Sequence, residues 1–159
     1  MAGVIKRFVN DDPSLKTFQA HAPWAEAVEV PPGATFLFLS GQVPPLLHEE
    51  ADPRDPASYG ATEDQTRAVL TVIGRLLADR GYAMGDIVKM TAYLCADPTK
   101  GGVLDLDGFG AAYREFFSAT GPLPARTRVE VRQLMSAAWL VEIEVIAAKV
   151  QQNKMGDGK

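Results

Sequence analysis

The sequence predicts an α+β domain in which two helices pack on one face of a mixed β-sheet. Residues 125–131 and 139–148 alternate between apolar and polar side chains, which is the pattern of β-strands. Residues 62–81 and 105–117 carry apolar side chains at helical spacing. Residues 35–39 are apolar on both faces, which indicates a sheet that is covered on both sides.

Length and composition restrict the class of protein. The chain has 159 residues, of which 47% are hydrophobic and 23% charged, so it can build one proper core. We expect a single domain over residues 1–150 and a tail without regular structure over residues 151–159. Residues 1–10 lack the apolar stretch of a secretory signal, and no apolar run is long enough to span a membrane, which favours a cytoplasmic protein.

The charge and the soft side chains exclude several kinds of site. A net charge of −4 gives no general attraction to nucleic acid. Cys95 is the only cysteine, so no disulfide forms within the chain. His21 and His48 are the only histidines, which leaves too few ligands for a zinc site. We expect neither a metal nor a cofactor.

The first half of the chain contains three strand segments and one long loop. Residues 5–9 and 25–30 are strand candidates, and Pro31-Pro32-Gly33 is a turn that leads into the strand at 35–39. We expect that turn to join the second and third strands as a hairpin. Residues 45–60 form a loop rich in proline and acidic residues.

The middle of the chain alternates between helices and a strand. Thr62-Glu63-Asp64-Gln65 is a capping-box pattern that predicts a helix start at Thr62, and Gly81 is suited to its end. Residues 87–95 return as a strand, and Asp105 is suited to cap a second helix. The apolar stripe of that helix consists of Leu106, Phe109, Tyr113, Phe116 and Phe117. The predicted order is therefore β-β-β-α-β-α-β-β.

The last two strands are predicted to form an antiparallel hairpin. Their odd positions, from Ala125 to Ala147, are mostly apolar and are assigned to the core. Their even positions bring Arg126, Arg128 and Glu130 opposite Glu142 and Glu144. Such a face is either a set of ordinary cross-strand charge pairs or the lining of a site.

The second face of the sheet carries more apolar area than a monomer normally exposes. Leu140 and Ile146 flank the two glutamates, and Tyr93 lies beside Lys89 on the preceding strand. We therefore expect the sheets of several subunits to pack together, with the charged residues lining pockets between them.

Five segments together resemble the Rid (YjgF) family of enamine/imine deaminases. They read SGQVP at 40–44, GDIVK at 85–89, YREFF at 113–117, PART at 124–127 and VEIEVIA at 141–147. The resemblance spans residues 23–148. It implies a chorismate-mutase-like α+β fold, a homotrimer with three pockets between subunits, and metal-free hydrolysis of reactive imines released by pyridoxal-phosphate enzymes.

The resemblance also implies roles for the two charged strands. Arg126 matches the arginine that binds the substrate carboxylate, for which a planar guanidinium is well suited. Glu142 matches the acidic residue beside the attacking water. Glu144 has the same parity two residues on, and its alternative interpretation is as the ion-pair partner of Arg128.

Further residues are implied as part of the substrate pocket. Gly41 and Ser40 match the turn that lines it, although a tight strand exit explains them equally well. Trp24 stands where the best-known branch has a tyrosine, so a ring is kept without its hydroxyl. Arg128 stands where that branch often has a cysteine, and it either adds positive charge to the pocket or pairs with Glu144.

The leading functional hypothesis is a hydrolase of 2-imino and enamine acids that releases the 2-keto acid and ammonia. The alternative is a regulatory protein that binds small anionic ligands in the same pocket without turnover. Cleavage of RNA follows from an older label of the family, and the sequence pI of about 5.2 argues against it.

Overall fold

A four-stranded mixed sheet with two helices on one face forms the body of the protein. The computed structural model describes residues 3–9, 14, 23–118 and 121–150. The strands are β1 (Lys6–Phe8), β2 (Ala27–Glu29), β3 (Ala34–Gln42), β4 (Ile87–Leu94), β5 (Ala125–Glu130) and β6 (Val141–Val150). The helices are α1 (Thr62–Ala78) and α2 (Leu106–Phe116). This order confirms the predicted succession of elements.

The strands of the main sheet lie in the order β3-β6-β4-β5. β6 pairs antiparallel with both β3 and β4, whereas β4 and β5 run parallel. Each helix therefore connects two parallel strands, β3 to β4 through α1 and β4 to β5 through α2, and β6 fills the space between β3 and β4.

Both predicted hairpins are wrong. β2 pairs antiparallel with β1 in a separate two-stranded sheet rather than with β3. β5 pairs with β4 rather than with β6, and the segment 131–140 crosses past β4 before β6 begins. For β5 the reason is α2, because a helix that links two neighbouring strands of one sheet makes those strands parallel.

Strand register decides which residues face the helices, and we call this side of the sheet the helix face. Met90 of β4 lies beside Val145 of β6 and Arg126 of β5, so all three share one face. On this face the core is fully buried, and it includes Val69, Leu70, Ile73, Leu77, Met90, Ala92, Phe109, Tyr113, Val141, Ile143 and Val145. The assignment of odd positions to the core holds for β6 and is wrong for β5, where Thr127 and Val129 are exposed.

The opposite side of the sheet, called the open face, carries exposed aromatic residues. Phe36 and Phe38 of β3 are 47% and 70% exposed. Thr91 lies beside Glu144, and Tyr93 lies beside Glu142. The open face therefore combines apolar rings with the two glutamates, in the mixture that the sequence suggested.

A buried carboxylate fixes the start of α1. Asp97 is fully buried, and its two oxygens accept hydrogen bonds from the backbone and hydroxyl groups of Thr62 and Thr99 at 2.7–3.0 Å. The cap itself lies one residue earlier than predicted, since the backbone N–H of Ala61 donates to Asp64. The buried amide of Gln65 instead accepts from the backbone of Leu140 at 2.7 Å, which ties α1 to the start of β6.

None of the helices in the described part of the chain is long and apolar enough to cross a membrane. The predicted tail at 151–159 lies outside the described residues.

Candidate functional site

The Arg126 guanidinium lies in a cage of aromatic rings on the helix face. Its Cζ atom is 4.3 Å from the centroid of the Tyr113 ring, 4.6 Å from that of Trp24 and 5.6 Å from that of Phe109. Cation–π attraction to such rings contributes about 0.5–2 kcal/mol per contact. The rings thus orient the guanidinium without neutralising its charge.

The charge of Arg126 has no carboxylate partner among the described residues. Its Nη1 atom is buried and makes no hydrogen bond there, and no described carboxylate forms an ion pair with it. Burial lowers the pKa of Arg126 to about 10, so the group is still protonated near neutral pH. A buried charge without a partner costs several kcal/mol. A bound anion would remove that cost.

Tyr113 and Arg128 complete the cage. The Tyr113 hydroxyl is buried without a hydrogen bond in the described structure, and burial raises the pKa of Tyr113 to about 12. Arg128 lies two residues from Arg126 on the same strand face, with its Cζ atom 5.4 Å from the centroid of the Phe109 ring. The cage therefore presents two guanidinium groups and one phenol, all of which can donate to an anion.

Local backbone structure explains why these groups meet. Ala25 forms a parallel bridge with Ala125, and its N–H donates to the carbonyl of Pro124 at 2.9 Å. This contact brings Trp24 against the beginning of β5. Phe109 and Tyr113 are four residues apart on α2 and stack on each other with ring centroids 6.0 Å apart.

Glu142 lies on the open face against the backbone of Gly41. A β-bulge between Leu39 and Gln42 ends the regular pairing of β3 with β6 at this point. A Cβ atom at Gly41 would lie 2.0 Å from Oε1 of Glu142, so any larger residue at this position would displace the carboxylate. Gly41 and the Glu142 carboxylate are therefore in direct contact on the open face.

Ser40 and Glu144 line a cavity of about 280 Å³ on the open face, together with Phe38, Lys89 and Thr91. The Tyr93 hydroxyl donates to Glu144 at 3.2 Å. Lys89 donates to the hydroxyl of Thr127 at 2.8 Å instead of pairing with a glutamate. Glu142 and Glu144 also face a second groove of about 370 Å³ beneath the segment that follows β5.

The sequence-predicted site residues form two groups within one subunit. Trp24, Arg126 and Arg128 meet on the helix face. Gly41 and Glu142 are in contact on the open face, and Ser40 lines the neighbouring cavity with Glu144. The interpretation of Glu144 as the partner of Arg128 is wrong, because β4 lies between their strands and its alternation directs them to opposite faces.

Sequence reasoning assigned Phe109 and Tyr113 to the core stripe of the second helix and missed their place in the arginine cage. The phenol of Tyr113 is the sequence feature that could have indicated this place, because a hydroxyl within an apolar stripe needs a polar neighbour. Tyr93 was likewise placed on the second face of the sheet but not recognised as the hydrogen-bond donor to Glu144.

Comparison with known proteins identifies relatives of the whole domain. The sequence model of the family described as Endoribonuclease L-PSP matches residues 14–149. A RutC family protein of Pyrococcus horikoshii is 34% identical over 131 residues, which cover 80% of this chain and 87% of the relative. The 2-iminobutanoate/2-iminopropanoate deaminase of Salmonella typhimurium is 30% identical over 134 residues, covering 82% of this chain and 90% of the deaminase.

A solved structure supports the same assignment. The crystal structure of Escherichia coli TdcF with bound serine has a TM-score of 0.55 and 28% identity, and the match covers 80% of this chain and 89% of TdcF. The two helices on a mixed four-stranded sheet agree with this fold. From the match over residues 14–149 and these similarities we conclude that the chain belongs to the Rid (YjgF) family.

Proposed function

We propose that the protein is a deaminase that hydrolyses reactive 2-imino acids to 2-oxo acids and ammonia. The observation that carries the proposal is the Arg126 guanidinium, which is held by three rings and has a buried Nη1 atom without an acceptor in the described structure. A carboxylate is the natural ligand of such a planar fork. The name of the Salmonella relative supports the choice of a 2-imino acid.

The reaction requires one water molecule and transfers of protons. Water adds to the imine carbon, and the imine nitrogen takes up a proton, which gives a carbinolamine. The carbon–nitrogen bond then breaks, ammonia leaves, and the hydroxyl proton is lost as the 2-oxo acid forms. We assign to Glu142 the task of orienting the water and accepting its proton, because a carboxylate can act as a general base. Binding of the substrate carboxylate to Arg126 positions the imine carbon for attack by this water.

We further propose that the pocket is completed between two copies in a homotrimer of the chorismate-mutase-like kind. Within one subunit Arg126 faces the helices and Glu142 faces away from them, which supports a pocket that takes each from a different copy. The exposed Phe36 and Phe38 on the open face support close packing of that face against another subunit.

The direct test generates 2-iminobutanoate in situ with an amino-acid oxidase and measures trapping of the free imine by semicarbazide. We expect the protein to reduce trapping in proportion to its concentration, while a heat-denatured sample does not. Unchanged trapping, together with binding of 2-oxobutanoate to the folded protein, would contradict the deaminase and leave a ligand-binding protein.

A further inference from the structure

The aromatic cage holds a second guanidinium that a simple 2-imino acid would leave unpaired. A 2-imino monocarboxylic acid has one carboxylate, which the proposed function assigns to Arg126. We propose that Arg128 binds a second carboxylate and that the natural substrates are 2-imino dicarboxylic acids. This inference rests on the proposed function and names its substrate class.

Arg7 is another partly buried arginine, and the described residues supply hydrogen-bond acceptors for its guanidinium group. Arg7 donates to the backbone carbonyls of Leu123, Gly85 and Ile87 at 2.8–3.2 Å. Arg128 is also partly buried, and burial lowers its pKa, yet the described residues give it neither a hydrogen bond nor an ion pair.

Within the described part of the chain, no carboxylate compensates the charge of Arg128, because Glu130, the next residue on this strand face, is exposed and forms no ion pair there. Arg126 points from the same strand face, and the two charges repel each other. The Tyr113 phenol is the one acidic group that raises the pKa of Arg128, and near neutral pH it is protonated and uncharged. One ligand with two anionic groups can pair with both guanidinium groups and compensate both charges.

The spacing of the two arginines fits a short diacid. Residues two apart on one strand face are separated by roughly 7 Å. The terminal carboxylate carbons of an extended five-carbon diacid are roughly 5 Å apart, as four carbon–carbon bonds require. Both guanidinium groups lie against the same ring, Phe109, at 5.6 and 5.4 Å from its centroid. The ring thus forms an apolar wall along which the carbon chain of the ligand can lie.

Binding of unreactive products tests the second anchor without requiring turnover. The matched probes are 2-oxoglutarate and 2-oxopentanoate, which have the same five-carbon chain and differ in whether carbon 5 is a carboxylate or a methyl group. Calorimetric titration of the wild-type protein should show binding of 2-oxoglutarate that is about 10- to 100-fold tighter, as a charge-assisted hydrogen-bond pair provides. In Arg128→Gln this ratio should fall to about one. Arg132→Gln, which changes an exposed arginine in the segment after β5, is the control and should keep the wild-type ratio.

The outcomes separate this inference from the proposed function. Equal affinity of the wild-type protein for both probes overturns the dicarboxylate assignment, even if 2-iminobutanoate is hydrolysed. A wild-type ratio that survives in Arg128→Gln overturns the role of Arg128. Selective binding of 2-oxoglutarate without hydrolysis of the imines made from norvaline or glutamate by their oxidases supports the second anchor and contradicts the deaminase.

Discussion

Arg126 is the residue on which the proposed activity depends most directly. Arg126→Lys should keep the fold, because a lysine stem can follow the same apolar path between the rings. It should lower imine hydrolysis by one to two decades, since the loss of a charge-assisted hydrogen bond in a pocket costs about 1.5–3 kcal/mol. Turnover and melting temperature measured on the same preparation check this, and a folded variant with full activity would exclude the anchoring role.

Glu142 and Glu144 can be distinguished by a matched pair of variants. Glu142 lies against Gly41, whereas Glu144 accepts a hydrogen bond from Tyr93. Glu142→Gln should therefore reduce kcat more than it weakens binding of an unreactive 2-oxo acid, because a base acts mainly as charge develops in the transition state. Glu144→Gln is the control. If Glu144→Gln causes the greater loss of kcat, the assignment of the base to Glu142 is wrong.

The sequence identified the charged residues of the candidate site but not their grouping. Arg126 and Glu142 were recognised through short segments that do not depend on which strands pair. Their separation onto two faces follows from β4, which lies between β5 and β6. Period-two alternation shows which side chains of one strand share a face, but it does not show which strand lies next to that strand.

At the level of elements, Asp97 is the contact that holds the start of α1 to the loop after β4. Burial alone would raise the pKa of Asp97, but hydrogen bonds from Thr99 and Thr62 outweigh it and hold the pKa below its usual value. Asp97→Asn replaces one acceptor oxygen by an amide that faces further donors. We expect a loss of about 2–4 kcal/mol and a melting temperature lower by roughly 5–15 °C.

The pH dependence of this contact has a definite sign. A carboxyl group whose pKa is lower in the folded protein stabilises the fold above its unfolded pKa of about 3.9, and this contribution disappears as the pH falls through the folded pKa. The difference in free energy of unfolding between wild type and Asp97→Asn should thus have its full value near pH 6 and decrease below about pH 4. Asp52→Asn, at an exposed carboxylate paired with Arg54, should change the melting temperature by less than about 2 °C. An Asp97→Asn protein as stable as wild type would contradict the role of this contact.

The elements themselves were more predictable than their connections. Thr62 and Asp105 marked the helix starts to within one residue, because capping depends on a few neighbouring side chains. The turn at Pro31-Pro32-Gly33 was equally clear, yet the strands on its two sides pair with β1 and β6. Pairing depends on contacts far apart in the chain, which a local turn signal does not determine.

For the whole molecule, the open face predicts the oligomeric state. Light scattering coupled to size exclusion should give the mass of a trimer for the wild-type protein. Phe38→Lys should shift it to the monomer, because the side chain is 70% exposed in the single chain and a charge there would be buried by a second subunit. Leu47→Lys, at a loop residue that is 51% exposed, is the control and should leave the trimer intact. A monomeric wild-type protein would contradict the shared pocket as well.

Mixed trimers test whether each pocket takes residues from two copies. Arg126→Lys and Glu142→Gln chains should each have little activity when purified alone. Co-expression should restore part of it, because a mixed interface combines an intact Arg126 from one chain with an intact Glu142 from the other. If a single chain supplied both residues, every pocket would carry one defect and the mixture would remain inactive.

The central position of β6 has a consequence for how the chain acquires its structure. β3 and β4 have no direct hydrogen bonds to each other in the sheet, and both pair with a strand that begins only at Val141, whereas β4 already ends at Leu94. A growing chain that ends before residue 141 can form its helices and the β4-α2-β5 unit, but the sheet remains open along an unpaired edge. Folding is therefore expected to be completed late and slowly, as in other proteins dominated by distant pairings. Until then, the exposed edges of β3 and β4 are the sites at which unfinished chains would associate.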